Sequence, residues 1–365
     1  MLIGRNLIFG HVENVSYLTS PIMALGTGTS RAVARLLAYE DGTWKTTEVD
    51  LVQPPIIPCL IRMGSIINRC QSFLEDRNLY KHVCNEHDRA RILAPFNVPP
   101  FLTSQLCTDS NGYFGCKSSF DTNDGLSDFS MWFRCLAKTV LDPKESCEQD
   151  GKDYLWHEMG FFTRWCHPRS SKVLCVGTPA TFHDRLRQEL DKTPRLELRD
   201  PFAMLIPLLS HIIELYDEST WRVRNKVRTI EKFTCHKTRG RQRADFVAMH
   251  DVSRHAVHLN EVYTAAIETM ENLLRRQKLT QDAIASLDKT YKEQAQESMS
   301  FYLQLMKSLK LRSASNQERL NAEIVLAYHI ITSQDSTVMR TIAVLTMTFL
   351  PASFIAKSSS RNRWS

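Results

Sequence analysis

The sequence predicts an α+β protein: an N-terminal α/β domain over residues 1–199, followed by long antiparallel helices and a long stalk helix. Three observations predict it. The first half consists of short apolar runs punctuated by Gly, Pro, Asn and Asp, the pattern of strands and turns. After Gly177 the only glycine is Gly240, and no proline falls between Pro207 and Pro351, so the usual helix terminators are missing from the second half. From Met299 onward, apolar residues recur at a 3-4 spacing.

Taken in order, Ala34–Tyr39 and Thr43–Val52 flank Asp41-Gly42, which predicts a hairpin ended by Pro54, Pro55 and Pro58. Residues 104–128, rich in Ser, Asp, Asn and Gly, read as a loop. Trp132–Leu141 and Tyr154–Cys166 read as short buried elements, and Lys172–Gly177 as a buried strand. Residues 1–150 rest on fewer cues than the rest. At Asp200-Pro201 an N-cap residue precedes a proline at the first helical position. The expected helices run from Pro201 to Phe233, from Ala244 to Lys278, and from Thr280 to Ala356, with a basic connector from Thr234 to Arg243. Residues 200–338 thus form the helical and stalk region, 339–356 a partial membrane helix, and 357–365 a polar tail.

Composition excludes little. With 365 residues, 43% hydrophobic and 24% charged, the chain is an ordinary globular one, and a net charge of +6 does not call for nucleic acid. Ten cysteines without a CxxC pair, behind an N-terminus with no secretory signal, read as reduced thiols in a cytosolic compartment. Between Arg222 and Arg243 nine Lys/Arg residues face one acid, Glu231, which reads as a solvated helix face and a basic loop.

Motifs for chemistry are sparse. Asp251, His255 and His258 fall at i, i+4 and i+7, a spacing that suits a two-histidine, one-carboxylate metal set but equally an amphipathic helix. Cys84-Asn85-Glu86-His87 and Cys166-His167 have partial zinc spacing. Gly26-Thr27-Gly28-Thr29-Ser30 fits no phosphate loop, and His157-Glu158 lacks a second histidine because residue 161 is Phe. No enzyme activity and no permanently bound cofactor are expected.

The seam Met299, Tyr302, Met306, Leu309, Ser313, Asn316 and Leu320, then Ile324, Ala327, Ile331, Gln334 and Val338, resembles a coiled coil. Its polar members, Ser313, Asn316 and Gln334, fix register or line a wet axis. Such a rod packs on copies of itself or on the preceding helices. It leads into Thr341–Ala356, sixteen residues without charge between Arg340 and Lys357. That reaches ~24 Å as a helix, short of the ~30 Å hydrocarbon core. Pro351 within the run, and the hydroxyls of Thr341, Thr346, Thr348 and Ser353, suit a membrane helix better than a buried one.

Residues 338–356, VMRTIAVLTMTFLPASFIA, resemble the first membrane helix of the CorA magnesium-transporter family: a methionine and a basic residue, aliphatics with threonines, then Phe-x-Pro-x-Ser-Phe-Ile-Ala. Asp200-Pro201-Phe202-Ala203, Trp221-Arg222-Val223-Arg224, His250–Leu259 and Arg312-Ser313-Ala314-Ser315-Asn316 resemble its fungal branch, so the resemblance covers about Tyr154 to Ala356. It implies a homopentamer whose stalk and first membrane helix line a pore. Met339, Ile342, Thr346, Leu350 and Ser353 match pore-facing positions: Met339, Ile342 and Leu350 as apolar constrictions, Thr346 and Ser353 as hydroxyls toward a hydrated divalent cation, magnesium foremost. The family's first helix runs on to Gly-Met-Asn and a second helix follows; here Lys357 begins the polar tail. The resemblance therefore implies a chain truncated within that helix and not conducting alone, with its bulk cytoplasmic at a membrane, or soluble if the truncation is real. Its partners would be like subunits or a full-length paralogue. The competing expectation is a helical scaffold or adaptor that uses the rod and apolar C-terminus to bind a partner.

Overall fold

A computed structural model describes the backbone of residues 8–14, 32–40, 43–50, 73–74, 90, 93–123, 125–141, 153–168, 170–179, 181–192, 196–237 and 245–361, with side chains mainly over 90–348. Three strands, β1 (Ile8–Asn14), β2 (Ala32–Glu40) and β3 (Thr43–Asp50), form an antiparallel sheet in that order. Glu40 pairs with Thr43, so β2 and β3 pair as the expected hairpin does, while Asp41-Gly42 themselves lie outside the described residues.

A second sheet has the order β4-β8-β7-β6-β5, built from β4 (Phe73–Leu74), β5 (Gly112–Phe120), β6 (Leu126–Val140), β7 (Tyr154–Cys166) and β8 (Ser170–Val176). All its pairings are antiparallel except β4 with β8. Much of the expected loop over 104–128 is therefore regular: α1 (Gln105–Asp109) and strand β5 occupy it. Only the turn after Phe120 behaves as the composition suggests, with the Asp121 carboxylate accepting from the amides of Asn123 and Gly125, each at 2.8 Å. β5 is an edge strand with half-exposed side chains, so it carries no apolar run to betray it.

β6 differs. Every residue from Phe129 to Val140 is buried. A strand flanked on both sides and covered on both faces shows no alternation of burial, and here even Ser130, Arg134, Lys138 and Thr139 are buried. Phe133 of β6 stacks on Phe161 of β7 at 4.8 Å. Phe161 meets Phe182 at the start of α2 (Phe182–Lys192), and Phe129 meets Phe202 at 5.3 Å. Each such ring contributes about 2–3 kcal/mol of burial.

The second half is three helices: α3 (Leu205–Lys237), α4 (Phe246–Asp282) and α5 (Lys289–Arg361). α3 begins four residues later than Pro201. The Asp200 carboxylate accepts from the Phe202 amide at 2.9 Å, and short turns (Ala203 N to Asp200 O, Leu205 N to Phe202 O) precede the helix. Pro207 falls in the first turn, where no intrahelical donor is needed. α5, with 73 residues, spans about 110 Å at 1.5 Å per residue.

The chain divides into two compact units. The first, Met1–Arg222 with His258–Ser313, holds both sheets and the adjoining helix segments. In it the Tyr216 hydroxyl of α3 donates to the Leu136 carbonyl of β6 at 2.5 Å, and Tyr263 of α4 donates to the Tyr216 carbonyl at 2.6 Å. The second, Val223–Val257 with Ala314–Ser365, is helical. Its narrow core includes Val223, Val227, Met249, Val252, Leu320 and Ala327, and Arg319 makes a two-pronged pair with Glu231 at 2.7 and 2.6 Å.

Acid is expected to cost the folded chain stability through His157. Burial pushes His157 on β7 down to about 4. A histidine held neutral contributes stability that is fully present above its unfolded value of 6.5 and is lost as pH falls toward 4. Urea unfolding measured from pH 7 to pH 4 is expected to lose up to about 3 kcal/mol more in the natural chain than in His157→Asn.

Candidate functional site

The stalk seam lies on α5 and changes character along its length. Met299, Met306, Leu309, Ser313, Asn316, Leu320 and Ala327 are buried within the chain itself. Ser313 and Asn316, two of the three polar members of the seam, are each 1% exposed, and the side chain of the third, Gln334, lies outside the described residues. Ala327 is the last buried residue described on the helix. Beyond it the apolar side chains emerge: Val338, Met339, Ile342, Val344, Leu345 and Met347 are all at least half exposed.

Of the five pore-facing candidates, Met339 and Ile342 are exposed, at 66% and 52%, and Thr346 is exposed beside them. The helix continues through Leu350 and Ser353, whose side chains lie outside the described residues. The threonines satisfy themselves on their own helix: Thr341 donates to the Thr337 carbonyl at 2.9 Å, Thr346 to Ile342 at 2.7 Å, and Thr348 to Val344 at 3.0 Å. Each hydroxyl oxygen keeps lone pairs for a further donor such as a cation's bound water. Among the described residues no helix is long and apolar enough to cross a membrane.

Asp251, His255 and His258 lie along one face of α4 but answer to different neighbours. Asp251 accepts from Arg254 at 3.2 Å. His255 is fully buried. The Nδ1 of His258 lies 2.8 Å from Nζ of Lys138, which is itself buried on β6 with its ammonium 4.2 Å from the Tyr154 ring and 5.1 Å from the Trp156 ring. Among the described residues no three His, Cys, Asp or Glu side chains are placed to hold a metal ion. Cys166 donates to Asp128 at 3.3 Å, while Gly26–Ser30 and Cys84–His87 lie outside the described residues.

Two charged groups inside β6 were not legible as a site. Lys138 is one; Arg134 is the other. Arg134 donates to the carbonyls of Ser110 and Thr108, each at 2.7 Å, and to the Glu158 carboxylate at 2.9 Å. It walls a cavity of about 30 Å³, room for about one water, together with Tyr113, Phe162 and Gly177. Burial pushes the Tyr113 hydroxyl up to about 12, so it stays protonated. Arg134's donors tie the end of α1, at Thr108 and Ser110, to Glu158 of β7, and the arrangement is a clamp. The thiols of Cys135 and Cys175 are buried and raised, the state of inert cysteine.

No protein-family model matches the chain. A curated relative, Notoamide biosynthesis cluster protein M' of Aspergillus versicolor, is 24% identical over 298 residues, covering 69% of this chain; the chain spans 62% of that relative's length. Among solved structures, full-length CmaX is similar at 12% identity and a TM-score of 0.46, over 78% of this chain and 75% of that one. The complete CorA magnesium transporter of Methanocaldococcus jannaschii is similar at 11% identity and a TM-score of 0.44, over 76% and 74%. With both TM-scores under 0.5, neither likeness carries weight by itself.

Proposed function

We propose that this chain is part of a subunit of a CorA-like divalent-cation transporter of the fungal type, with magnesium as the ion carried, and that α5 assembles with like subunits, five about one axis. Met339, Ile342 and Leu350 then form apolar constrictions, and Thr346 and Ser353 present oxygens to a hydrated cation. The 365 residues carry no Gly-Met-Asn, so by themselves they do not conduct.

The observation that carries this reading is the exposure of the apolar band on every side of α5. At ~100° per residue, the exposed positions 338, 339, 342, 344, 345 and 347 leave no gap around the helix wider than about 100°. A partner coiled coil covers one stripe of a helix. A helix apolar all round calls for surroundings that are apolar all round, which lipid and like helices supply together. That favours a membrane over the adaptor reading, and the order of residues in 338–356 points to the family.

The test is native mass spectrometry of the full chain in detergent, with magnesium uptake into vesicles carrying it. Five copies and no uptake are expected. A chain that stays single in detergent sinks the subunit reading, and uptake by these residues alone contradicts the assignment of conduction to a longer subunit.

A further inference from the structure

We propose that Glu197–Asp200 is a strap that holds the α4–α5 turn, and that the base of α5 is released only when Asp200 gives up its bonds to Gln281 and Tyr291. Within the turn, residues 283–288, Ile284 N bonds to Gln281 O at 3.1 Å and Leu287 N to Ile284 O at 3.4 Å, and Asp288 accepts from the amides of Thr290 and Lys292 at 2.7 and 3.0 Å. Two consecutive side chains pin it from outside. Arg199 donates to the Ser286 carbonyl at 2.7 Å. Asp200 accepts from Gln281 at the end of α4, at 2.7 Å, and from Tyr291 at the start of α5, at 2.9 Å, on the same carboxylate oxygen.

The two pins differ in kind. Arg199 is partly exposed and set in place by Glu197, whose two oxygens accept from its guanidinium at 2.7 and 2.6 Å. Asp200 is 2% exposed and Gln281 fully buried, and Gln281 in turn accepts from Gln296, about two turns into α5, at 3.3 Å. The cation next to Asp200 in sequence is thus spent on Glu197, and the described hydrogen bonds to the buried carboxylate come from neutral donors. Burial raises the Asp200 carboxyl above its usual range, which fits a charge held by hydrogen bonds at a cost. Removing it leaves a buried amide and a phenol at the two helix ends without their acceptor, and takes the acceptor from the Phe202 amide beside it.

Hydrogen exchange on the full chain separates a strap from an ordinary core residue. Asp200→Ala is expected to speed exchange at the amides of 283–296 by at least about tenfold while those of β6 and β7 keep their rates. Arg199→Ala, losing only the exposed pin, is expected to give a smaller rise at the same amides. A rise shared equally by β6 and β7, or no rise at all, overturns the proposal. If Asp200→Ala does not fold, Gln281→Leu with Tyr291→Phe decides: it removes both donors to the shared oxygen and keeps the Phe202 bond, so a local rise upholds the strap and none overturns it.

Discussion

A chain carrying both Leu345→Lys and Met347→Lys stays in the supernatant when spun with phospholipid vesicles, whereas the unaltered chain sediments with them. The two positions lie on nearly opposite sides of α5 and are 50% and 76% exposed, so no rotation of the helix hides both charges. A lysine near the middle of a membrane helix costs about 2.5–3.5 kcal/mol, and two cost about 6. That lowers partitioning by about 10⁴. Because both side chains touch solvent in the folded chain, the thermal midpoint is expected to stay within a degree or two, which separates lost membrane affinity from lost folding. The matched control is Leu311→Lys with Val325→Lys, 73% and 54% exposed but outside the uncharged run, which is expected to leave sedimentation unchanged. If the unaltered chain does not sediment, or the double variant still does, the band belongs to a protein interface and the membrane reading fails.

What was legible in the sequence was what neighbouring residues decide among themselves. The pairing of β2 with β3 follows from the turn chemistry of the two residues between them, and α5 follows from a stretch without glycine and with its single proline near the end. What stayed hidden was decided by partners far along the chain. Asp200 before a proline has the form of a helix cap, and one carboxylate oxygen does accept from the Phe202 amide, but the other answers to Gln281 and Tyr291, 81 and 91 residues away. The face of Asp251, His255 and His258 was visible as a spacing, but the partner of His258 is Lys138, 120 residues distant on a strand. Strand β5 was missed because an edge strand against a helix needs no apolar run, and the seam of α5 was visible without showing that two of its polar members, Ser313 and Asn316, are buried inside the chain.

Arg134→Ala is expected to destabilise the chain by about 3–5 kcal/mol in urea unfolding, a large part of the ~5–15 kcal/mol available to a folded domain. The reason lies in what the guanidinium leaves behind. Its side chain and that of Glu158 are 8% and 11% exposed, so removing the cation strands a carboxylate in the interior and takes the donor from two carbonyls, Ser110 and Thr108. The pair Arg319–Glu231 has comparable bonds, down to 2.6 Å, but is 38% and 27% exposed; Arg319→Ala is expected to cost under about 1 kcal/mol, since water takes over both partners. Arg134→Lys does not rescue, because one ammonium cannot face two carbonyls and a carboxylate in the directions a planar guanidinium does. Arg134→Met with Glu158→Leu recovers part of the loss by removing the stranded charge, and the remainder measures the two carbonyls still without a donor. Equal losses for Arg134→Ala and Arg319→Ala would show instead that water reaches the Arg134 cavity and that the clamp is a surface feature.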